Sequence, residues 1–266
     1  MMDRKLVYDV GGYDGTDTSR YLSLGYRVVC IEAAPNLAAQ ITTRFQREIS
    51  AGQCTVLNVA IGTTNGHIPF YLSSTSLLYS FDRSLATRHG ALVTEISVPT
   101  RTFDSILAEH GVPYFLKIDI EGADHACLRA LGGEVPQYLS FEAGRDSFDM
   151  LLLLANLGYT RFSLVCRRTF QQITVPVAGT LPHLKWSARQ LLRLTLRKYP
   201  RVHRVVTEGL PRLARGTSVI TPSSGPTPME RRDGWYSMEE FMYLWTNVIY
   251  SGVIDSQWYD VHAARD

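Results

Sequence analysis

The chain is predicted to be an α/β protein built on a doubly wound parallel sheet, with a region of a different kind at its C-terminal end. Three observations carry this prediction. Short apolar runs alternate with helical patterns through the first two-thirds of the 266 residues, the rhythm of a parallel sheet covered by helices on both faces. A glycine-rich stretch, GGYDG, directly follows the first apolar run, where a strand hands over to a helix. Two later apolar runs end in acidic residues, at Asp119 to Glu121 and at Glu142. Such carboxyl ends are where open α/β sheets hold ligands.

Taken in order, Lys5–Val10 reads as the first strand and Asp17–Leu24 as a helix stopped by Gly25. Arg27–Ile31 is the second strand. Pro35 suits the first turn of the next helix, where its missing N–H is not needed, and that helix is expected to run to about Ile49 and stop at Gly52. Thr55–Ala60 is the third strand, Tyr114–Ile120 the fourth and Tyr138–Phe141 the fifth. A helix over Phe148–Leu157 and a strand over Arg161–Val165 follow. The stretch from Ile68 to Thr100, rich in Ser, Thr and Leu, reads as irregular or antiparallel structure over one edge. Residues 1–177 are thus expected to form the main domain, and 178–266 an extension packed on it.

This length suffices for one α/β domain with a full core and a modest addition. Hydrophobic residues make up 45% and charged residues 20%, and the formal net charge of +2 implies no polyanionic partner. No segment approaches the roughly 20 apolar residues that span a bilayer; the most apolar run, Met150 to Ala155, is far too short. The first residues, MMDRKLVYDV, enter a strand almost at once and lack a signal-peptide core. The four cysteines, Cys30, Cys54, Cys127 and Cys166, are widely spaced with no CxxC, which reads as buried thiols in a reducing compartment. A cytoplasmic protein is the expectation.

In Asp9-Val10-Gly11-Gly12-Tyr13-Asp14-Gly15 the glycines permit a tight turn and close approach of a ligand. Glu32 ends the second strand about twenty residues later, where an acidic side chain takes both ribose hydroxyls of a nucleotide. The pattern is G-G-x-x-G rather than G-x-G-x-x-G, and it contains Asp14. A dinucleotide places its pyrophosphate at this helix N-terminus, and a carboxylate there opposes it. A cationic ligand carrying ribose and adenine but no phosphate fits better, which favours S-adenosylmethionine over NAD.

The second constellation is FLKIDIEGADH, Phe115 to His125. Strand alternation places Lys117, Asp119 and Glu121 on one side, and Ile118 and Ile120 on the other. Charges in a buried strand are costly unless paired or used. With Glu142 at the end of the neighbouring strand, Asp119 and Glu121 form a catalytic group that supplies a general base or binds a divalent metal orienting a substrate hydroxyl. The alternative is a structural ion pair of Lys117 with Glu142 or Asp119. His125 reads as a solvated residue of the next helix, within reach of this site.

The set DVGGYDGTDT, VVCIEAAPN, NVAIG, VPTRTFDSIL, KIDIEGADH and LSFE, in this order over roughly residues 5–165, resembles the FkbM family of S-adenosylmethionine-dependent methyltransferases. That resemblance implies a class I methyltransferase sheet of seven strands, mostly parallel with the last reversed, and O-methylation of hydroxyls on sugars, glycans or natural products. It also implies roles for residues. Asp9, Gly11, Gly12 and Gly15 would cradle the methionine part of the cofactor, beside the Asp14 already read as suiting its positive charge, Glu32 would hold the ribose, and Ala33 would flank the adenine. Asn58 and Ala60 would lie near the adenine edge, and Asp119 on the sulfonium side. Many members carry Ala-Asn or Ala-His after the first loop glycine, where this chain has Gly12-Tyr13; Tyr13 is left to lie over the cofactor or cap the pocket.

Beyond residue 178, Arg189, Arg193, Arg197, Arg201 and Arg204 fall along one helical stripe. The stripe is either the solvated face of an amphipathic helix or a surface for an anionic acceptor or a membrane; no nucleic-acid motif accompanies it. Thr217–Pro228 reads as a mobile loop. Ser237-Met238-Glu239-Glu240 is a capping box opening a helix to about Tyr250, within an aromatic-rich end that serves as core or as an acceptor lid. Asp260 and His262 read as terminal surface residues or, alternatively, as additions to a site. Two rival functions stay open: an NAD-linked sugar-modifying oxidoreductase, and a non-catalytic scaffold in a glycan-assembly complex.

Overall fold

The computed structural model describes residues 3–74, 79–87, 91–120, 123–144, 147–167, 170–173, 227–230, 234–246 and 259–266. The arginine stripe, most of the Thr217–Pro228 stretch and the end of the helix expected to reach Tyr250 lie outside them.

Strand β1 (Asp3–Val10) is central, and its buried part, Leu6–Val10, is apolar apart from Asp9, as a stretch covered on both faces requires. It pairs in parallel with β2 (Arg27–Ile31) and with β7 (Pro113–Ile118). Strand β3 (Cys54–Leu57) extends one side, and β8 (Tyr138–Glu142) extends the other in parallel with β7. The last strand, β10 (Tyr259–Ala264), inserts antiparallel between β8 and β9 (Arg161–Cys166), giving seven strands in the order β3-β2-β1-β7-β8-β10-β9. This is the mostly parallel sheet with a reversed last strand. The chain's end is therefore part of the sheet rather than packed on it, and Asp260 and His262 are not surface residues: both are buried.

The helices follow the expected rhythm: α1 (Thr16–Ser23), α2 (Pro35–Arg44), α3 (Gln46–Ser50), α5 (Phe103–His110), α6 (Asp124–Arg129) and α7 (Ser147–Asn156). The helix opened by Pro35 is broken at Phe45, whose side chain is buried beside Ile41 and Tyr21. The expected third strand is also divided. After Leu57 the chain leaves the main sheet, and β4 (Ala60–Ile61) joins β6 (Val93–Arg101) in a three-stranded sheet whose other member is the antiparallel β5 (Gly66–Ser73). A short helix, α4 (Arg83–Ala86), lies between β5 and β6. The capping box forms in full at α8 (Met238–Trp245), Ser237 and Glu240 each accepting the other's backbone N–H. Among the described residues no helix is long and apolar enough to cross a membrane.

Alternation sorts the sheet. Leu6, Tyr8, Val10, Leu116 and Ile118 face the larger core, with Phe103, Ile106, Leu128 and Leu154 from the helices. Val7, Cys30 and Phe115 face the other, with Tyr21, Ile41 and Phe45. On this second face strand registry lines up Asp9, Lys117, Ser140, His262 and Ser163 in one buried lateral row. Two residues further on, Glu142 and Asp260 are registered with each other, and Asp119 and Arg167 follow their strands on either side.

Candidate active site

Registry places Lys117 directly beside Asp9. Its ammonium lies 3.0 Å from Asp9 Oδ1, 3.0 Å from Asp17 Oδ2 of α1 and 3.8 Å from Asp119 Oδ2, and it donates to the Gly11 carbonyl at 3.3 Å. Thr18 Oγ1 donates to the other Asp9 oxygen at 2.7 Å. Burial pushes the Asp9 carboxyl up, and the Lys117 ammonium opposes that shift. Burial acts to lower Lys117, but Asp9, Asp17 and Asp119 hold its ammonium well above the usual lysine range. Asp9 is fully buried with both oxygens engaged, so its side chain braces the loop from below instead of cradling a ligand. Lys117 is likewise sealed. Of the two ion-pair partners expected for it, Asp119 is in reach at 3.8 Å, but its shorter pairs are with Asp9 and Asp17, which the sequence did not indicate.

The glycine loop rests on this base. Gly11 (φ 88°) and Gly15 (φ 76°) take left-handed conformations. A β-carbon on Gly11 would collide with the Asp119 carbonyl, one on Gly12 with Cys30 Sγ, and one on Gly15 would sit 2.8 Å from Phe45. The glycines thus serve the close packing of the loop on β2, β7 and Phe45. Asp14 is exposed, and its carboxylate accepts from the Thr16 N–H at the start of α1. A negative charge therefore stands at the helix N-terminus where a pyrophosphate would sit.

Glu32 follows the end of β2. Its Oε2 accepts from the Tyr13 N–H and its Oε1 from the Ala34 N–H, each at 2.8 Å. Burial pushes this carboxyl up, and the two N–H groups pull it back. Tyr13 reaches Glu32 only by adopting φ 49°, uncommon for a non-glycine residue, and its side chain is partly exposed. Among the described residues no lysine or arginine is ion-paired with Glu32, so each oxygen keeps a lone pair for a further donor, as a ribose diol requires. Asn58 is spent otherwise: its amide donates to the Glu32 and Ala33 carbonyls at 2.9 and 3.0 Å, fixing the turn after β2. Ala33 packs beside the small-sheet core that contains Ala34 and Ala60. Ala60 is buried there in β4, not at the end of a main-sheet strand.

On the other side of the loop, the Asp119 N–H donates to the Val10 carbonyl at 2.9 Å. The strand has ended one residue earlier, at Ile118. Asp119 meets a partner absent from the sequence reading. Arg167, just after β9, donates to Asp119 Oδ2 at 2.8 Å, pairs with Glu142 Oε1 at 3.1 Å and lies 3.8 Å from Asp260 Oδ1. Burial opposes its charge, but Asp119, Asp260 and Glu142 hold the guanidinium above the usual arginine range. Burial pushes the Asp260 carboxyl up to about 7, with Arg167 opposing. Glu121 lies outside the described residues, and His125 sits half-buried in the first turn of α6. A signal for Asp260 was present in YDVHAA, whose period of two marks a strand; nothing local marks Arg167.

A metal does not fit the described part of the acidic group. Asp119 and Glu142 converge on a guanidinium, and no cluster of three or more His, Cys, Asp or Glu suited to a metal occurs among the described residues.

The sequence matches the family described as "Methyltransferase FkbM domain" over residues 9–161. The chain belongs to the FkbM methyltransferase family, and its sheet has the class I methyltransferase arrangement. Among solved structures it is similar to an FkbM methyltransferase from Methylobacillus flagellatus KT (22% identity, TM-score 0.41), a match that covers 59% of this chain but only 37% of that one. It is also similar to a precorrin-6y C5,15-methyltransferase from Geobacter metallireducens GS-15 (13% identity, TM-score 0.34, 62% of this chain and 69% of that one). A SAM-dependent O-methyltransferase from Thermotoga maritima matches at 10% identity and TM-score 0.33, over 68% of this chain and 52% of that one. A search of curated proteins finds no match.

Proposed function

We propose that this chain is an S-adenosylmethionine-dependent O-methyltransferase acting on a hydroxyl of a sugar, glycan or natural-product acceptor. The observation that carries the cofactor reading is the Glu32 carboxylate, fixed by the Tyr13 and Ala34 N–H groups and free of any paired lysine or arginine among the described residues. The charge balance supports it. Beside the loop, the ion pairs among the described residues join five carboxylates, Asp9, Asp17, Asp119, Glu142 and Asp260, to two cations, Lys117 and Arg167, a balance that suits a cationic ligand better than a pyrophosphate.

S-adenosylmethionine supplies an electrophilic methyl group on a sulfonium. Glu32 holds the ribose. Asp119, pinned to the loop by its N–H and to Arg167 by Oδ2, presents Oδ1 for the acceptor hydroxyl. There it would orient the hydroxyl and take its proton as the oxygen–carbon bond forms and the sulfur–carbon bond breaks, with S-adenosylhomocysteine as the leaving group.

Thermal melts with S-adenosylmethionine, S-adenosylhomocysteine and NAD test this. At a hundredfold excess over Kd, a ligand of the folded state adds about 2.7 kcal/mol, raising Tm by roughly 5–10 °C for a chain of this size. S-adenosylhomocysteine should produce that shift, and Glu32→Gln should weaken its binding about 10- to 100-fold, the worth of hydrogen bonds to a charged group. A shift with NAD alone sinks the methyl-transfer reading in favour of the oxidoreductase. No shift with any of the three favours the scaffold.

A further inference from the structure

We propose that Arg167 is a positioning residue that acts as the site's own cation. It stands where a divalent metal would otherwise bridge the carboxylates, so that the acidic group works without a metal. The proposal rests on the methyl-transfer reading only for what the site is for; the placement of Arg167 stands on geometry.

Three chain segments distant in sequence bring carboxylates to one guanidinium: Asp119 after β7, Glu142 at the end of β8 and Asp260 at the start of β10. Registry forces this convergence. Glu142 and Asp260 are cross-strand partners, Asp260 is also paired with Val165, and Arg167 lies two residues beyond Val165 on the same face. The planar fork of a guanidinium can engage several carboxylates at once, with Nη2 on Asp119, Nη1 on Glu142 and Nε toward Asp260. Asp260 adds an independent sign that the group is built around a charge. Its carboxylate is almost wholly buried, and its Oδ2 has no hydrogen-bond partner, a costly arrangement without a nearby cation. Both cation contacts of Asp119, from Arg167 and Lys117, fall on Oδ2, which is how the arrangement leaves Oδ1 to an acceptor.

As they stand, splayed around Arg167, the three carboxylates are not arranged for a metal; stripped of the guanidinium and free to close on its place, they would supply the hard, all-oxygen donors that Mn2+ and Mg2+ prefer. Removing Arg167 should therefore uncover a metal site that the intact chain lacks. The test is a titration of the full chain with Mn2+ alone, followed by electron paramagnetic resonance of the free ion. The wild type should leave Mn2+ free. Arg167→Gln should bind one equivalent at least tenfold more tightly than the wild type, and Mn2+ should raise its Tm. Arg167→Lys, which keeps a cation in place, should behave like the wild type.

Either of two results overturns the proposal: one equivalent of Mn2+ bound by the wild type and lost on Glu142→Gln, or a folded Arg167→Gln chain that binds no better than the wild type. If Arg167→Gln does not fold, Arg167→Met, which keeps the apolar stem and all three carboxylates but removes the charge, takes its place in the same titration. The wild-type result needs no variant. Since the titration requires neither methyl donor nor acceptor, its failure leaves the methyl-transfer reading standing. A failed S-adenosylhomocysteine melt sinks that reading without touching the Mn2+ result.

Discussion

Lys117 and Arg167 lie on the same face of the sheet, each gathering carboxylates from elements distant in sequence, yet they differ in access to water. The Lys117 side chain is 3% exposed and its partners Asp9 and Asp17 are 0% and 3% exposed. Arg167 is 19% exposed, with Asp119 at 19% and Glu142 at 25%. A sealed cluster cannot meet a substrate, so its charges serve the fold: they tie α1 and the glycine loop to β1 and β7. The half-open cluster keeps its carboxylates at the sheet's carboxyl edge, where a ligand reaches them. The same chemistry thus ties the fold together in one row and leaves carboxylates open to solvent in the next, and the step between them is two residues along a strand.

The largest effect that tests this contrast is expected at Lys117. Lys117→Met leaves Asp9 and Asp17 buried without a cation and should cost about 3–5 kcal/mol of stability, read from urea unfolding at neutral pH. A loss below about 1 kcal/mol would show that the sealed cluster is not what holds the loop.

Gly11→Ala strikes the junction between the two clusters, since the Gly11 carbonyl accepts from Lys117 and its α-carbon abuts the Asp119 carbonyl. The left-handed conformation costs about 1–2 kcal/mol and the collision about 1–3 kcal/mol. Unfolding should register a loss of about 2–5 kcal/mol, together with weaker S-adenosylhomocysteine binding. Unchanged stability would mean that the loop can move away from β7.

The third effect concerns pH. The Asp260 carboxyl is raised from its ordinary 3.8 to about 7 in the folded chain. Its contribution to stability is then fully present below about 3.8 and is lost as pH rises through about 7. Asp260→Asn should therefore gain stability relative to the wild type as pH is raised across that window. A stability difference that stays flat across it would show that Asp260 does not titrate there.

Much of this molecule was legible before its structure. The strand–helix rhythm, the glycine turn, Glu32 and the capping box at Ser237 are local patterns, and local sterics and hydrogen bonding decide them. The third strand is shorter than the sequence predicts: Val59 and Ala60 resume the apolar run after Asn58, although the strand has already ended at Leu57. Which sheet each part joins depends on Thr100 and Arg101, distant partners that periodicity does not contain. Asp260 and His262 were misread for a related reason. Position near the chain's end suggested a surface, whereas the alternation in YDVHAA matched a strand whose neighbours are β8 and β9. Arg167 carried no signal at all: an arginine beside a strand end is ordinary until three carboxylates arrive around it.

By itself the sequence determined the class of fold, the glycine loop and the acidic residues at the strand ends, because each follows from short-range backbone preference and from the alternation of strand side chains. The tertiary structure alone decided which charges are paired. Ion pairing depends on cross-strand registry and on the insertion of the last strand into the sheet, and these are fixed by packing across the whole domain. That is why Lys117 and Asp9, adjacent in space and far apart in sequence, form the sealed base of the loop, and why a guanidinium joins Asp119 to Glu142.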